Sequence, residues 1–167
     1  MQTLEMISAL SNACGPSGFE DDALRAVRQF APAGYALAGD ALNNLYLRRE
    51  NADGAKPVLQ LDAHSDEVGF MVQAVRPNGT LRFIALGGWV NSNIPAHRVR
   101  VRTRFGTWIP GIVAAKPPHF MSAAERASGE LQLILDVGAT SKEEAVNVFH
   151  MGMGEPFVPA TKYEYDE

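Results

Sequence analysis

The sequence predicts an α/β portion followed by a β-rich, barrel-like portion, and three observations carry that expectation. Helical spacing of apolar residues is confined to the start of the chain. Two short strand signals then lead to an apolar run at 58–63. Beyond it come only short β-rich segments separated by turn signals, the pattern of a small barrel or sandwich.

Each element has its own local cause. Leu4, Ile7, Ser8, Leu10 and Ala13 follow helical spacing, and Gly15-Pro16-Ser17-Gly18 stops that helix. Ser17 precedes Phe19-Glu20-Asp21-Asp22, where acids suit the first turn of a second helix with Ala23, Val27 and Phe30 on its apolar face. Pro32 and Gly34 end it, and short strands are expected at 35–38 and 44–48, then at 58–63 after the turn Asn51-Ala52-Asp53-Gly54. This order opens a layered α/β or α+β domain. Further strands are expected at 68–75, 81–86, 98–103, 108–114 and 131–137, divided by Pro77-Asn78-Gly79, Gly87-Gly88 and Phe105-Gly106. Residues 122–126 and the capping-box-like Ser141-Lys142-Glu143-Glu144 read as short helices, and the chain is expected to leave the barrel from Phe157.

With 167 residues, 46% of them hydrophobic and 20% charged, the chain is expected to be a soluble globular protein able to bury a core. Its net charge of −4 argues against a nucleic-acid partner. Arg98, Arg100, Arg102 and Arg104 alternate along a strand and read as a solvated face, with no interleaved aromatics to stack bases. Cys14 is the only cysteine, which precludes an intrachain disulfide, fits a reducing interior and suits a small buried residue. The first residues show no basic region followed by an apolar run, and no window approaches a membrane span, so a cytoplasmic setting is expected.

The chemistry is concentrated at the end of the apolar run, in Asp62-Ala63-His64-Ser65-Asp66-Glu67. In an extended chain, residues two apart lie on the same side, so the Asp66 carboxylate can reach the His64 imidazole. A histidine ligand binds metal through one nitrogen, while its other nitrogen needs an acceptor that fixes the tautomer. His64 is the candidate metal ligand and Asp66 the group that orients it. Glu67 should point the other way and serve structure.

Seven phrases occur in order: Ala13-Cys14-Gly15-Pro16-Ser17-Gly18-Phe19-Glu20, Asp40-Ala41-Leu42-Asn43-Asn44-Leu45, Ala63-His64-Ser65-Asp66-Glu67-Val68-Gly69-Phe70, Gly87-Gly88-Trp89, Gly111-Ile112-Val113, Lys116-Pro117-Pro118-His119 and Asp136-Val137-Gly138-Ala139-Thr140-Ser141-Lys142-Glu143-Glu144-Ala145. Together they resemble the glutamyl aminopeptidase and tetrahedral aminopeptidase family of dimetal exopeptidases, FrvX-like aminopeptidases included. The resemblance implies an α/β catalytic domain of helices and a mixed sheet, interrupted by a β-rich dimerisation domain. Residues 1–67 would be the first part of the catalytic domain, 68–158 the insertion, and 159–167 a tail returning toward the catalytic part. It further implies His64 as the first metal ligand, Asp66 as its catalytic partner, two divalent metals (zinc or cobalt), peptide substrates, and homo-oligomers formed through the insertion.

The family's later parts have no counterpart in this sequence: a bridging aspartate in an Asp-Asp-Arg-type phrase, a glutamate pair of base and ligand, a later acidic ligand and a late histidine. A zinc site needs at least three protein ligands, so the expectation is an N-terminal part, inactive as written and holding no metal stably by itself. The alternative is a non-catalytic oligomerisation or binding module derived from that family. His97 and His150 read as structural or surface residues, and His119, held by Pro117 and Pro118, as a loop residue of either structural or active-site use.

Overall fold

The computed structural model describes residues 2–128 and 132–166. The chain divides into two compact units, one of residues up to Glu67 together with the segment from Lys162, the other Val68–Thr161.

The first unit holds two helices and a hairpin. Helix α1 (Gln2–Asn12) ends at the Gly15-Pro16 stop, and α2 (Asp21–Gln29) starts with two acids in its first turn, where they complement the helix dipole. Strands β1 (Tyr35–Gly39) and β2 (Leu45–Arg49) pair antiparallel, with Leu37 opposite Leu47. The connection is wound around Asp40, whose carboxylate accepts from the backbone N–H groups of Leu42 and Asn44, the Asn44 amide and the Tyr46 hydroxyl, at 2.8–3.0 Å. This cage leaves Asn43 in the left-handed region at φ 61°, which asparagine tolerates. The buried hydrophobic residues of this unit are few: Cys14, Ala23, Leu24 and Ala26.

The strand expected at 58–63 does not form. The segment lacks a ladder partner, and Val58, Leu59 and Leu61 are 92%, 83% and 87% exposed. A strand needs a neighbour for its backbone donors and acceptors; among the described residues the nearest pairing is a single parallel bridge between Pro16 and Glu67.

The second unit is a closed barrel of order β3-β4-β7-β6-β5-β8, formed by β3 (Gly69–Val75), β4 (Leu81–Leu86), β5 (Arg98–Arg102), β6 (Trp108–Ala115), β7 (Leu133–Asp136) and β8 (Pro156–Pro159), antiparallel throughout. Leu131, expected to open β7, lies outside the described residues. Closure removes the open edges that an isolated sheet would present. Alternation sorts the side chains: Val99, Val101, Val113 and Leu135 point inward and are buried, while the β5 arginines face out. Phe70, Phe83, Phe157 and Trp89 form the aromatic centre, with ring centroids 4.5–5.2 Å apart. The Trp89 indole N–H donates to Gly69 O at 3.0 Å.

Two short helices decorate the barrel. Helix α3 (Ala123–Ser128) follows β6, and α4 (Lys142–Asn147) follows β7. Ser141 caps α4 by accepting from Glu144 N, and the Glu144 carboxylate accepts from the backbone and hydroxyl of Thr140 at 2.8 and 2.7 Å. The chain does not leave the barrel at Phe157. Residues Pro156–Pro159 are the closing strand, between β3 and β5. Their two prolines are the reason the sequence disguises it, since proline ordinarily demotes a strand assignment.

Candidate metal centre

His64 and Asp66 are brought together as the local spacing demands. His64 Nδ1 lies 2.9 Å from Asp66 O and 3.1 Å from Asp66 Oδ1. Both neighbours are acceptors, so Nδ1 carries the proton and donates. In the neutral ring this leaves Nε2 as the unprotonated nitrogen, on a side chain that is 86% exposed. That is the tautomer a metal-binding histidine requires.

The next residue points the other way. Glu67 Oε1 accepts from Gly15 N at 3.0 Å, and Glu67 N donates to Gly15 O at 2.8 Å, so the side chain clamps the Gly15-Pro16 turn. Gly15 packs tightly against α2: a Cβ there would stand 3.1 Å from Ala23 Cβ, closer than most such contacts. A glycine-proline stop after α1 thus holds the end of the extended segment, and with it the reach of Asp66 toward His64.

Two side chains do not make a metal centre. Among the described residues, no group of three or more His, Cys, Asp and Glu side chains is placed to hold a metal ion. Asp66 already accepts from the imidazole, which leaves one free nitrogen donor. The residues present do not fit a dimetal site, because each ion needs several donors.

The other histidines lie in the barrel unit. His97 stands edge-on to Trp89 at 6.2 Å, and its carbonyl accepts from Val113 N. His119 is exposed on the 3₁₀ turn Pro118–Phe120, its ring 4.3 Å from that of Phe120. His150 is half-buried, not a plain surface residue: it adopts φ 55°, its ring stands against Phe105 at 4.7 Å, and its Nδ1 is shielded. Its neighbours Met151 and Gly152 gave no local signal for that packing.

The loop carrying His119 is tethered. Lys116 Nζ lies 2.8 and 3.0 Å from the two oxygens of Glu125, which also accepts from Ser122 N at 2.6 Å. The Lys116 bond, then the Ser122 backbone bond, hold the Glu125 carboxyl down at about 2. A depressed carboxyl stabilises the fold above its unfolded value near 4.5, and that contribution is lost as pH falls toward 2. Carbon-detected titration of the Glu125 carboxyl is expected to show its midpoint well below 4.5, returning toward it in Lys116→Met; an unchanged midpoint in that variant would remove the ion pair as the cause.

A family model described as M42 glutamyl aminopeptidase matches residues 43–165. The chain belongs to the M42 glutamyl aminopeptidase family. Among its relatives, the glutamyl aminopeptidase of Lactococcus lactis subsp. cremoris is 29% identical over 168 residues, covering 97% of this chain and 46% of that protein. FrvX of Escherichia coli is 31% identical over 144 residues, covering 84% of this chain and 40% of that protein. The crystal structure of a TET aminopeptidase from a marine-sediment thaumarchaeon superposes with a TM-score of 0.87 at 32% identity, covering 99% of this chain and 46% of that one. The chain therefore spans less than half the length of the curated relatives it matches. No described helix is long and apolar enough to cross a membrane.

Proposed function

We propose that these residues supply one metal ligand and an assembly domain to a dimetal aminopeptidase that removes N-terminal residues from peptides. His64 would bind a divalent ion, zinc or cobalt, through Nε2, with Asp66 as its positioning residue. The observation that supports it most directly is the Nδ1–Asp66 pair, which leaves Nε2 exposed as an acceptor. The remaining donors and the general base must come from polypeptide outside these residues, so the chain alone should neither hold two metals nor hydrolyse peptides. The barrel, with residues 68–158 read as the inserted dimerisation domain, would carry self-association into a homo-oligomer. The exposed apolar residues at 58–61 also favour partners over isolation. A cytoplasmic setting suits a chain with one cysteine and no intrachain disulfide.

The test is metal analysis and an aminoacyl-anilide assay on the purified chain incubated with zinc and with cobalt. The expected result is no stoichiometric metal after dialysis and no turnover. Titration with either ion should shift the His64 ring resonances, weakly, together with the Ser65 and Asp66 amide resonances, and the amide shifts should vanish in His64→Ala. Two equivalents of tightly held metal, or turnover by this chain, would overturn the proposed incompleteness. Resonance shifts that spare His64 would overturn its role.

A further inference from the structure

One peptide group joins the turn after α1 to the His64 ring. The Asp66–Glu67 peptide is trans, so its C=O and N–H point in opposite directions. On one side Glu67 N donates to Gly15 O at 2.8 Å, and on the other Asp66 O accepts from His64 Nδ1 at 2.9 Å. The main-chain carbonyl is the nearer of the ring's two acceptors, since Asp66 Oδ1 lies at 3.1 Å. Turning this peptide would break the bond to the turn and the bond to the ring together.

The side chain of Glu67 holds the peptide in place. Its Oε1 accepts from Gly15 N at 3.0 Å, so residues 15 and 67 exchange two hydrogen bonds, one through backbone and one through the carboxylate. A carboxylate accepting from a backbone N–H makes a stronger bond than a neutral acceptor does. Gly15 is a firm anchor: it and Pro16 are buried, and a Cβ on Gly15 would lie 3.1 Å from Ala23 Cβ on α2 and 3.6 Å from Ser65 O. The path from α2 through Gly15 and the 66–67 peptide ends at the imidazole, and hydrogen bonds in such a series polarise one another.

We propose that Glu67 is a positioning residue for His64: by clamping the Asp66–Glu67 peptide on Gly15, it keeps the ring protonated at Nδ1 and free at Nε2. The Asp66 carboxylate then adds a second acceptor to a ring that the main chain has already aimed. The use of the ring for a metal rests on the function proposed above, whereas the positioning is readable without an ion.

Nitrogen NMR of the whole chain without metal, at about pH 8 where imidazole side chains are ordinarily neutral, tests it. The parent ring is expected to carry its proton on Nδ1. In Glu67→Ala, checked for folding by its amide spectrum, the Nδ1–H form should fall from dominant to a minority. Glu67→Gln, which keeps a side-chain oxygen for Gly15 N, should restore it. A merely structural Glu67 would lower the unfolding temperature of Glu67→Ala and leave the ring nitrogens unmoved, and that result overturns the proposal. Asp66→Ala should retain the Nδ1–H form, because the carbonyl remains; a switch of tautomer in this variant would assign the aim to the carboxylate and overturn the role of the clamp. Should Glu67→Ala fail to fold, Glu67→Met keeps the bulk without the acceptor, and the Asp66→Ala result stands by itself. Zinc added to the same samples separates this inference from the function it serves. A tautomer lost in Glu67→Ala, with a parent His64 indifferent to zinc, keeps the positioning and removes the ligand. A tautomer unmoved in Glu67→Ala, with a parent His64 that responds to zinc, does the reverse.

Discussion

Phe157→Ala is expected to destabilise the barrel by about 3–5 kcal/mol, a large part of the ~5–15 kcal/mol that holds a typical domain together. Phe157 is fully buried on the closing strand, opposite Phe70 on β3 and Val101 on β5. Its ring stacks on Phe70 at 4.7 Å and meets Phe83 edge-on at 5.0 Å. Truncation would remove ring contacts and leave a cavity at the seam where the sheet closes on itself, a place with little freedom to collapse. Urea unfolding followed by tryptophan fluorescence reads the effect, since Trp89 stacks on Phe70 at 4.5 Å. Phe105→Ala is the comparison: that ring is 66% exposed, and its removal should change stability by no more than about 0.5 kcal/mol. Similar losses for the two would mean that the aromatic centre does not hold the seam.

Gly79→Ala is expected to cost about 3 kcal/mol, from two causes that can be separated. Gly79 sits at φ +84° in the β3–β4 turn, where any side chain is strained. A Cβ there would also overlap backbone, lying 2.6 Å from the Ala139 carbonyl carbon and 2.9 Å from Ser141 N. Backbone cannot swing aside as a flexible side chain can, and this segment is pinned by the Ser141 cap and by Lys142 N donating to Pro77 O at 3.1 Å. Gly154, at φ +91° with nothing within 4 Å, isolates the conformational part, and Gly154→Ala should cost only about 1 kcal/mol. Equal losses at the two positions in thermal unfolding would show that the close approach at Gly79 is relieved at no cost.

Legibility in the sequence followed the range of the interactions concerned. Helices α1 and α2, the hairpin β1–β2 and the Ser141 cap announce themselves because their causes lie within a few residues. So does the His64–Asp66 pair, which depends only on the two-residue repeat of an extended chain. The outward arginines of β5 were legible by alternation. What was not legible depends on distant neighbours. Strand β8 hides behind Pro156 and Pro159, and only the gap between β3 and β5 gives it a place. The run at 58–63 has every local mark of a strand and lacks partners to pair with. His150 packs on Phe105, some 45 positions earlier, a pairing created by the barrel's closure. The phrase around His64 is legible as a mark of the family, while the donors of a metal site depend on residues brought together from distant parts of a chain.

The pairing of β3 with β8 carries a consequence for how such a chain tolerates change. Phe70 opposite Phe157 means that the barrel's first and last strands lie side by side, their ends about 5 Å apart. A short linker could span that gap at little loop-closure cost. The six-stranded body is therefore a cassette, one that could be lifted out or exchanged through a doorway two strands wide without lengthening the path of the chain on either side.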